Sequence, residues 1–132
     1  MLNSLQKGLY DVLEAKAYKV FDNVPEGVSM PYIMLYDTSV EELNHKTHRG
    51  YNITQDIYFF LNGTGKGRKE ANTMYADILQ TIYSMPIVLD NGYEIQDITL
   101  KSPSGVNESR VDETNVVYQG QFTFAFKLIK FN

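Results

Sequence analysis

The residues with the clearest potential for chemistry are Gly63–Gly67, which read Gly-Thr-Gly-Lys-Gly. They follow a predicted strand and precede a predicted helix, and the backbone N–H groups at a helix start favour anions. A Walker phosphate loop also needs glycine five residues before the Gly-Lys pair and Ser or Thr after the lysine to reach Mg²⁺. Phe60 and Gly67 occupy those two positions. The segment therefore predicts a flexible strand-to-helix turn, with nucleotide binding as the alternative.

The only two histidines, His45 and His48, are three residues apart. That spacing can place two imidazoles on one face of a helix, as metal ligation requires. The chain has no cysteine, however, and the nearby Glu41 and Glu42 complete no recognised ligand set. We therefore predict a solvated polar arm and no metal site.

The serines and acidic residues form no catalytic pattern. None of the serines lies in a recognised nucleophile motif, and no pair of acids is forced together by spacing. The sequence therefore predicts a protein that is not an enzyme and that needs no cofactor.

Composition and length favour one domain spanning residues 1–132. The longest apolar runs are far too short to cross a bilayer, so we expect a soluble protein with no membrane association. The formal net charge of −4 argues against affinity gained by neutralising phosphates. It is compatible with a protein that surrounds DNA without gripping it, since an acidic lumen repels the phosphate backbone.

Two amphipathic helices are predicted from apolar residues at helical spacing. The first stripe is formed by Leu2, Leu5, Leu9, Val12 and Leu13. The second, which ends before Pro86, is formed by Ala71, Met74, Tyr75, Ile78, Leu79 and Ile82.

Several strands are predicted between and after the helices. Tyr32–Asp37 is apolar on both faces, which predicts a central strand covered on both sides. Tyr51–Leu61 alternates at first, and toward its end the second face turns aromatic at Tyr58 and Phe60. Val116–Ile129 alternates strictly, which predicts one packed face and one open face. Ile87–Leu89 and Tyr93–Leu100 resemble a hairpin around an Asp-Asn-Gly turn.

Two long polar segments separate these elements. Thr38–Gly50 is either a long connection or a hairpin arm. Lys101–Asn115 is polar and without periodicity, which predicts a long loop with a functional role. We expect deletion of residues 102–115 to spoil assembly and leave the fold intact. The fold class predicted overall is α+β, a two-layer sandwich in which two helices pack on one face of a mostly antiparallel sheet.

The stretch Val20–Leu61 and the glycine-rich segment after it carry a family resemblance. A turn at Pro25-Glu26-Gly27 leads into a strand after Pro31, then a long polar interval, a second strand and a glycine-rich exit into a helix. This order, in a chain of this size, resembles the tail completion and head-to-tail joining proteins of long-tailed bacteriophages. The resemblance covers most of the chain and is best over Val20–Ser84.

The resemblance implies a structural virion protein that caps the tail tube as a ring, expected to be a hexamer, and joins it to the head connector. The implied partners are copies of the chain, the tail tube protein and the head connector or stopper. DNA would pass through without sequence-specific contacts, and assembly would take place in the cytoplasm of the host bacterium. Three alternatives remain: a head-side connector or stopper, a monomeric adaptor, and a small cytoplasmic ligand- or nucleotide-binding domain that uses Gly63–Gly67.

The candidate interface residues are polar side chains of the two long segments and of the open face of the last strand. They are Glu41, Glu42, His45, His48, Arg49, Ser104, Asn107, Arg110, Gln121, Thr123 and Lys127.

Overall fold

The structure, a computed structural model, describes residues 1–44, 46–63, 68–90, 92–110 and 115–131. The helices are α1 (Leu2–Glu14) and α2 (Lys69–Ser84). The strands are β1 (Val20–Phe21), β2 (Tyr32–Asn44), β3 (His48–Asn62), β4 (Glu94–Arg110) and β5 (Val116–Phe131).

The five strands form one sheet in the order β1-β2-β3-β5-β4. Only β1 and β2 pair in parallel, and every other neighbouring pair is antiparallel. The long final strand β5 lies inside the sheet between β3 and β4. It therefore pairs with a long strand on each side.

Both helices pack on the same face of the sheet, so the predicted α+β fold is confirmed. The apolar stripes of α1 and α2 are buried against the sheet, and four side chains of β5 meet them. Those four are fully buried: Phe122, Phe124, Phe126 and Leu128. The alternation predicted for β5 is confirmed, because its intervening polar side chains lie on the other face. Neither described helix is long and apolar enough to cross a membrane.

The segment 38–50 is the distal part of a hairpin arm, which decides between the two alternatives left by the sequence. Its residues pair across the arm from Thr38 and Gln55 to Asn44 and Arg49. The arm does not stand alone, because β5 pairs with β3 as far as His48.

The prediction of a loop at Lys101–Asn115 is wrong for the first ten residues of that segment. Lys101–Arg110 continues β4 and pairs with β5 on both sides of an irregularity between Lys101 and Gly105. Main-chain hydrogen bonds hold an edge strand in the sheet, and polar side chains do not prevent these bonds. The lack of an apolar period in this segment therefore did not indicate a loop. Deleting residues 102–115 would remove half of an edge strand. The expectation that this deletion spares the fold is therefore withdrawn.

The hairpin predicted from Ile87–Leu89 is also wrong. This segment forms no strand in the structure; it packs on α1 instead. The backbone N–H of Asp90 donates to Ser4 Oγ at 2.6 Å, and a side chain at Gly8 would come within 2.6 Å of Ile87 Cγ2. The close approach that Gly8 allows places this apolar run against a helix.

The prediction that Tyr32–Asp37 is covered on both faces is not met within this chain. Ile33 and Leu35 are buried beneath the helices, whereas Tyr32 and Met34 are half-buried and Tyr36 is 54% exposed. The outer neighbour of this strand is β1, which has only two residues. No described element packs on its second face.

Candidate assembly surfaces

The face of the sheet opposite the helices is left uncovered by the described elements. Along β3 the buried side chains of Ile53, Ile57 and Phe59 alternate with partly exposed Asn52, Thr54, Asp56, Tyr58 and Phe60. Because directly paired residues share a face, the strand register extends this pattern across the sheet. We call this side the open face.

One end of the open face is apolar and aromatic. Tyr32 and Phe60 have ring centroids 5.3 Å apart, Tyr36 and Tyr58 are 5.5 Å apart, and Phe21 meets the Tyr32 ring edge-on at 6.3 Å. Such pairs gain energy beyond their buried area, so the rings form a cohesive cluster. We define the aromatic patch as Phe21, Tyr32, Met34, Tyr36, Tyr58 and Phe60.

A β-bulge in β2 places Tyr36 in this patch. The register shifts between Leu35 and Thr38, so Tyr36 and Asp37 together lie opposite Asp56. The buried Gln55 secures the bulge from the helix side: its Nε2 lies 2.9 to 3.4 Å from three backbone carbonyls, and Thr38 Oγ1 donates to its Oε1 at 2.7 Å. Bulges often re-aim a side chain, and here the bulge aims Tyr36 at Tyr58.

The aromatic patch has acidic surroundings. Burial raises the pKa of Tyr58, and the nearby Asp56, Tyr36 and Asp37 raise it further. Both carboxylates thus lie close enough to Tyr58 for their charges to disfavour its ionised form. The patch offers aromatic rings next to negative charge.

The other half of the open face is polar and contains several predicted site residues. Thr123 Oγ1 donates to Asp56 Oδ1 at 2.9 Å, and the backbone N–H of Thr123 donates to Ser104 Oγ at 3.4 Å. Gln121 pairs with Tyr58 on one side and with Gly105 on the other. The structure thus brings Ser104, Gln121 and Thr123 together beside the aromatic patch.

Three more predicted residues lie in rows of the same face. Lys127 pairs with Asn52, and Asn52 pairs with Glu41, so a lysine and a glutamate flank one asparagine. Asn107 pairs with Gln119 near the other end. Their positions in the strand register place these residues on the open face.

The remaining predicted residues lie near the β2–β3 turn or at the far end of β4. Arg49 is exposed next to Lys130, and Glu42 pairs with Tyr51 on the helix side. His48 begins β3, and His45 lies outside the described residues. Arg110 Nη2 is 3.2 Å from Glu108 Oε1 in an exposed pair, which contributes little to stability. Arg110 and the turn therefore occupy opposite ends of the molecule.

A cleft on the helix side is a candidate for a small-molecule site. It has a volume of about 590 Å³ and is lined by Tyr18, Pro31, Leu61, Lys69, Glu70, Thr73, Met74 and Asp77. Tyr18 donates a hydrogen bond to Asp77 Oδ2, and Lys16 Nζ is 3.4 Å from Asp77 Oδ1. Tyr18 and Asp77 thus satisfy each other, which gives these two groups a structural role in joining α2 to the segment after α1.

Burial raises the pKa of Tyr18, and the hydrogen bond and the charge of Asp77 raise it further. A tyrosine whose pKa is higher in the folded state than in the unfolded state stabilises the fold. This contribution is fully present below the unfolded-state pKa of about 10 and is lost as the pH rises above it. We therefore expect the free energy of unfolding to fall more steeply above pH 10 in the wild type than in Tyr18→Phe. Urea unfolding between pH 8 and pH 11 measures this difference. Parallel curves for the two proteins would contradict it.

The other chemistry considered from the sequence gains no support. Thr64–Gly67 lies outside the described residues, so the structure gives no loop geometry for a phosphate. Among the residues that the structure describes, no three His, Asp or Glu side chains are grouped as metal ligands.

Comparison with known families decides the class of the protein. The model of the family described as "Tail completion protein gp17" matches residues 8–127. The chain belongs to this family. The match confirms the resemblance carried by Val20–Leu61, and it makes the chain a structural tail protein of the bacteriophage type. The matched range includes the aromatic patch and nearly all of the polar half of the open face.

A solved structure supports the same fold for this tail completion protein. A chain from "Virion of native gene transfer agent (GTA) particle" superposes with a TM-score of 0.76 at 19% sequence identity. The alignment covers 97% of this chain and 96% of that one. None of the curated proteins searched matches the sequence.

The aromatic patch is absent from the set of site residues predicted from sequence. Its signal was present: apolar side chains occupy both faces of Tyr32–Tyr36, and Tyr58 and Phe60 interrupt the polar face of β3. Cover on both faces was predicted for Tyr32–Asp37, and no described element covers its second face. An apolar pattern shows which faces exclude water, but it does not show whether the chain itself or another protein covers them.

Proposed function

We propose that this tail completion protein caps the tail tube as a ring of identical subunits and presents the surface to which the head connector binds. The observation that carries the proposal is the open face. The described elements leave this face uncovered, and the aromatic patch lies at one end of it. Aromatic side chains are enriched where proteins bind one another. Heterologous contacts between subunits generate a closed ring when the rotation closes.

The proposed work is binding and not catalysis. Shape and charge matching would give the subunit its specificity for the tube and the connector. The polar half of the open face, with Ser104, Gln121, Thr123 and Lys127, supplies hydrogen-bonding groups for such matching. The net charge of −4 suits a ring through which DNA passes without being held.

The proposed partners are further copies of the chain, the tail tube protein and the head connector. The proposed site of action is the head–tail joint of the virion, with assembly in the cytoplasm of the host bacterium. The head-side connector is the rival within the same class, since it would use the same kinds of surface.

Complementation of particles that lack the chain tests this function. We expect lysates without the protein to contain DNA-filled heads and separate tails, and purified protein to restore joined particles when both are mixed. Electron microscopy and infectivity measure the result, with heat-unfolded protein as the inactive control. Joined infectious particles in lysates without the chain would refute the proposal.

The order of addition separates the two sides of the joint. If the protein caps tails, incubating it first with purified tails should make them competent to bind heads. If it acts as a head-side connector, incubation with heads should have that effect.

A further inference from the structure

The two ends of the β2–β3 hairpin differ in chemistry. One end carries the aromatic patch, where Tyr32 pairs with Phe60. The other end is the turn, where Asn44 pairs with Arg49. Twelve residue steps along β2 separate these ends by about 40 Å, at about 3.3 Å per residue. The two ends can therefore contact different partner molecules.

The patch end carries acidic groups and no basic group on either hairpin strand. Asp56 precedes Tyr58 by two residues on the open face of β3, and Asp37 lies in the bulge opposite Asp56. Neither lysine nor arginine occurs in the sequence of 32–44 or of 50–62. Aromatic rings next to carboxylates favour a cationic side chain, because the ring faces and the carboxylates both attract positive charge.

The turn end carries two exposed basic side chains, Lys46 and Arg49. Lys130 of β5 pairs with Arg49, but its Nζ lies 5.4 Å from the centroid of the Tyr93 ring of its own chain. Glu42 is the nearest acid on the hairpin, and the exposed Glu94 of β4 pairs with the residue before Lys130. We call the surface formed by Lys46 and Arg49 the basic tip.

We propose that the basic tip of one subunit docks on the aromatic patch of the next copy of this chain. Lysine and arginine side chains of the tip would lie over the Tyr36 and Tyr58 rings, with their charged groups directed to Asp37 and Asp56. Each copy carries both surfaces at opposite ends, so each gives one contact and receives one. This contact is heterologous, which is the type that a ring requires. The inference rests on the proposed ring and assigns the surfaces that close it.

A pair of engineered cysteines tests the contact, because the chain has none of its own. The variant carries Asp37→Cys and Lys46→Cys, one at each surface, and it keeps Arg49 and Asp56 as the cationic and acidic groups of the contact. Within one chain, Asp37 lies seven residue steps along β2, or about 23 Å, from Asn44, and Lys46 lies in the turn beyond that end. This separation is beyond the reach of a disulfide. Oxidation can therefore link only different copies. We expect a ladder of disulfide-linked oligomers on non-reducing gels.

The matched control replaces Asp11 in place of Asp37 and keeps Lys46→Cys. Asp11 is exposed on α1, away from the patch. We expect the control to form a ladder at least about tenfold more slowly, which corresponds to a loss of about 1.4 kcal/mol in docking. Equal ladders in both variants, or no ladder in either, would overturn the proposed contact.

Two further measurements use the same cysteine pair and probe its chemistry. Raising the salt from 0.05 to 0.5 M should slow ladder formation, because it shortens the range of charge attraction. Adding Tyr58→Ser should also slow it, with circular dichroism as the check that the fold is kept. A rate that responds to neither change would show that charge and aromatic contact do not drive the docking.

Failure of this inference can be told apart from failure of the proposed function. If no ladder forms but the wild-type chain still restores head–tail joining, the surfaces are misassigned and the function stands. If the ladder forms but particles join without the chain, the docking stands and the proposed function fails.

Discussion

Replacing Gly120 with alanine is expected to lower the free energy of unfolding by about 3 kcal/mol, at the upper end of the cost of overpacking a core. Gly120 lies in β5 opposite Phe59 of β3, on the side that faces the helices. A Cβ atom at this position would overlap the Phe59 ring. That ring is fully buried and cannot move aside into solvent. Urea unfolding of the purified variant measures the loss.

A double-mutant cycle identifies the cause of that loss. Phe59→Ala alone leaves a cavity and should be destabilising, but it removes the ring that a methyl group at residue 120 would strike. We expect the double variant to be more stable than the sum of the two separate losses predicts, by about 1 kcal/mol or more. Simple additivity would show that Gly120 is needed for some other reason.

The second large effect is expected at Phe122. Replacing it with alanine should cost about 3–5 kcal/mol, the range for removing a buried aromatic side chain. The Phe122 ring is fully buried and stacks on Tyr75 of α2 at 4.4 Å and on Phe124 at 5.5 Å. The substitution therefore removes the stacked ring contact between α2 and β5. Thermal and urea unfolding measure the effect.

The same substitution on the opposite face provides the control. Phe60 is only half-buried and lies in the aromatic patch. We expect Phe60→Ala to cost about 1 kcal/mol in stability, because much of its ring is already in contact with water. It should nevertheless slow head–tail joining if the patch is an assembly surface. Equal losses of stability at Phe60 and Phe122 would contradict the assignment of the two faces.

Periodicity in the sequence predicted the elements that bury one side. The stripe from Ala71 to Ile82 predicted α2, and the alternation from Phe122 to Leu128 predicted which face of β5 meets the helices. Both are confirmed, because burial of one side forces apolar residues into the period of the element. The fold class followed from the same patterns.

Prediction from sequence failed for segments whose structure depends on main-chain pairing or on contact with a distant element. The edge strand Lys101–Arg110 is held by its pairing with β5, and its side chains carry no matching period. The run Ile87–Leu89 has the composition of a strand, but it packs on α1, where Gly8 has no side chain to obstruct the close approach. In both cases the decisive partner is remote in sequence.

The candidate interface residues also divide into those placed correctly by periodicity and those brought together by contacts remote in sequence. The predicted polar residues Gln121, Thr123 and Lys127 lie on the open face, as their alternation required. Nothing in the sequence could join Ser104 to Thr123, or place Tyr36 beside Tyr58, because a bulge sets each contact. Bulges depend on local hydrogen bonds such as those of Gln55, and these leave little trace in residue patterns.

Patterns of neighbouring residues were enough to predict two amphipathic helices, alternating strands and a family resemblance. The packing of both helices on one face of the sheet was also predicted and is confirmed. The structure adds that no described element covers the opposite face at Tyr32, Tyr58 and Phe60. The physical reason is that periodicity records how many faces of a strand are apolar, whereas the packing of distant elements determines which of them the chain itself can bury.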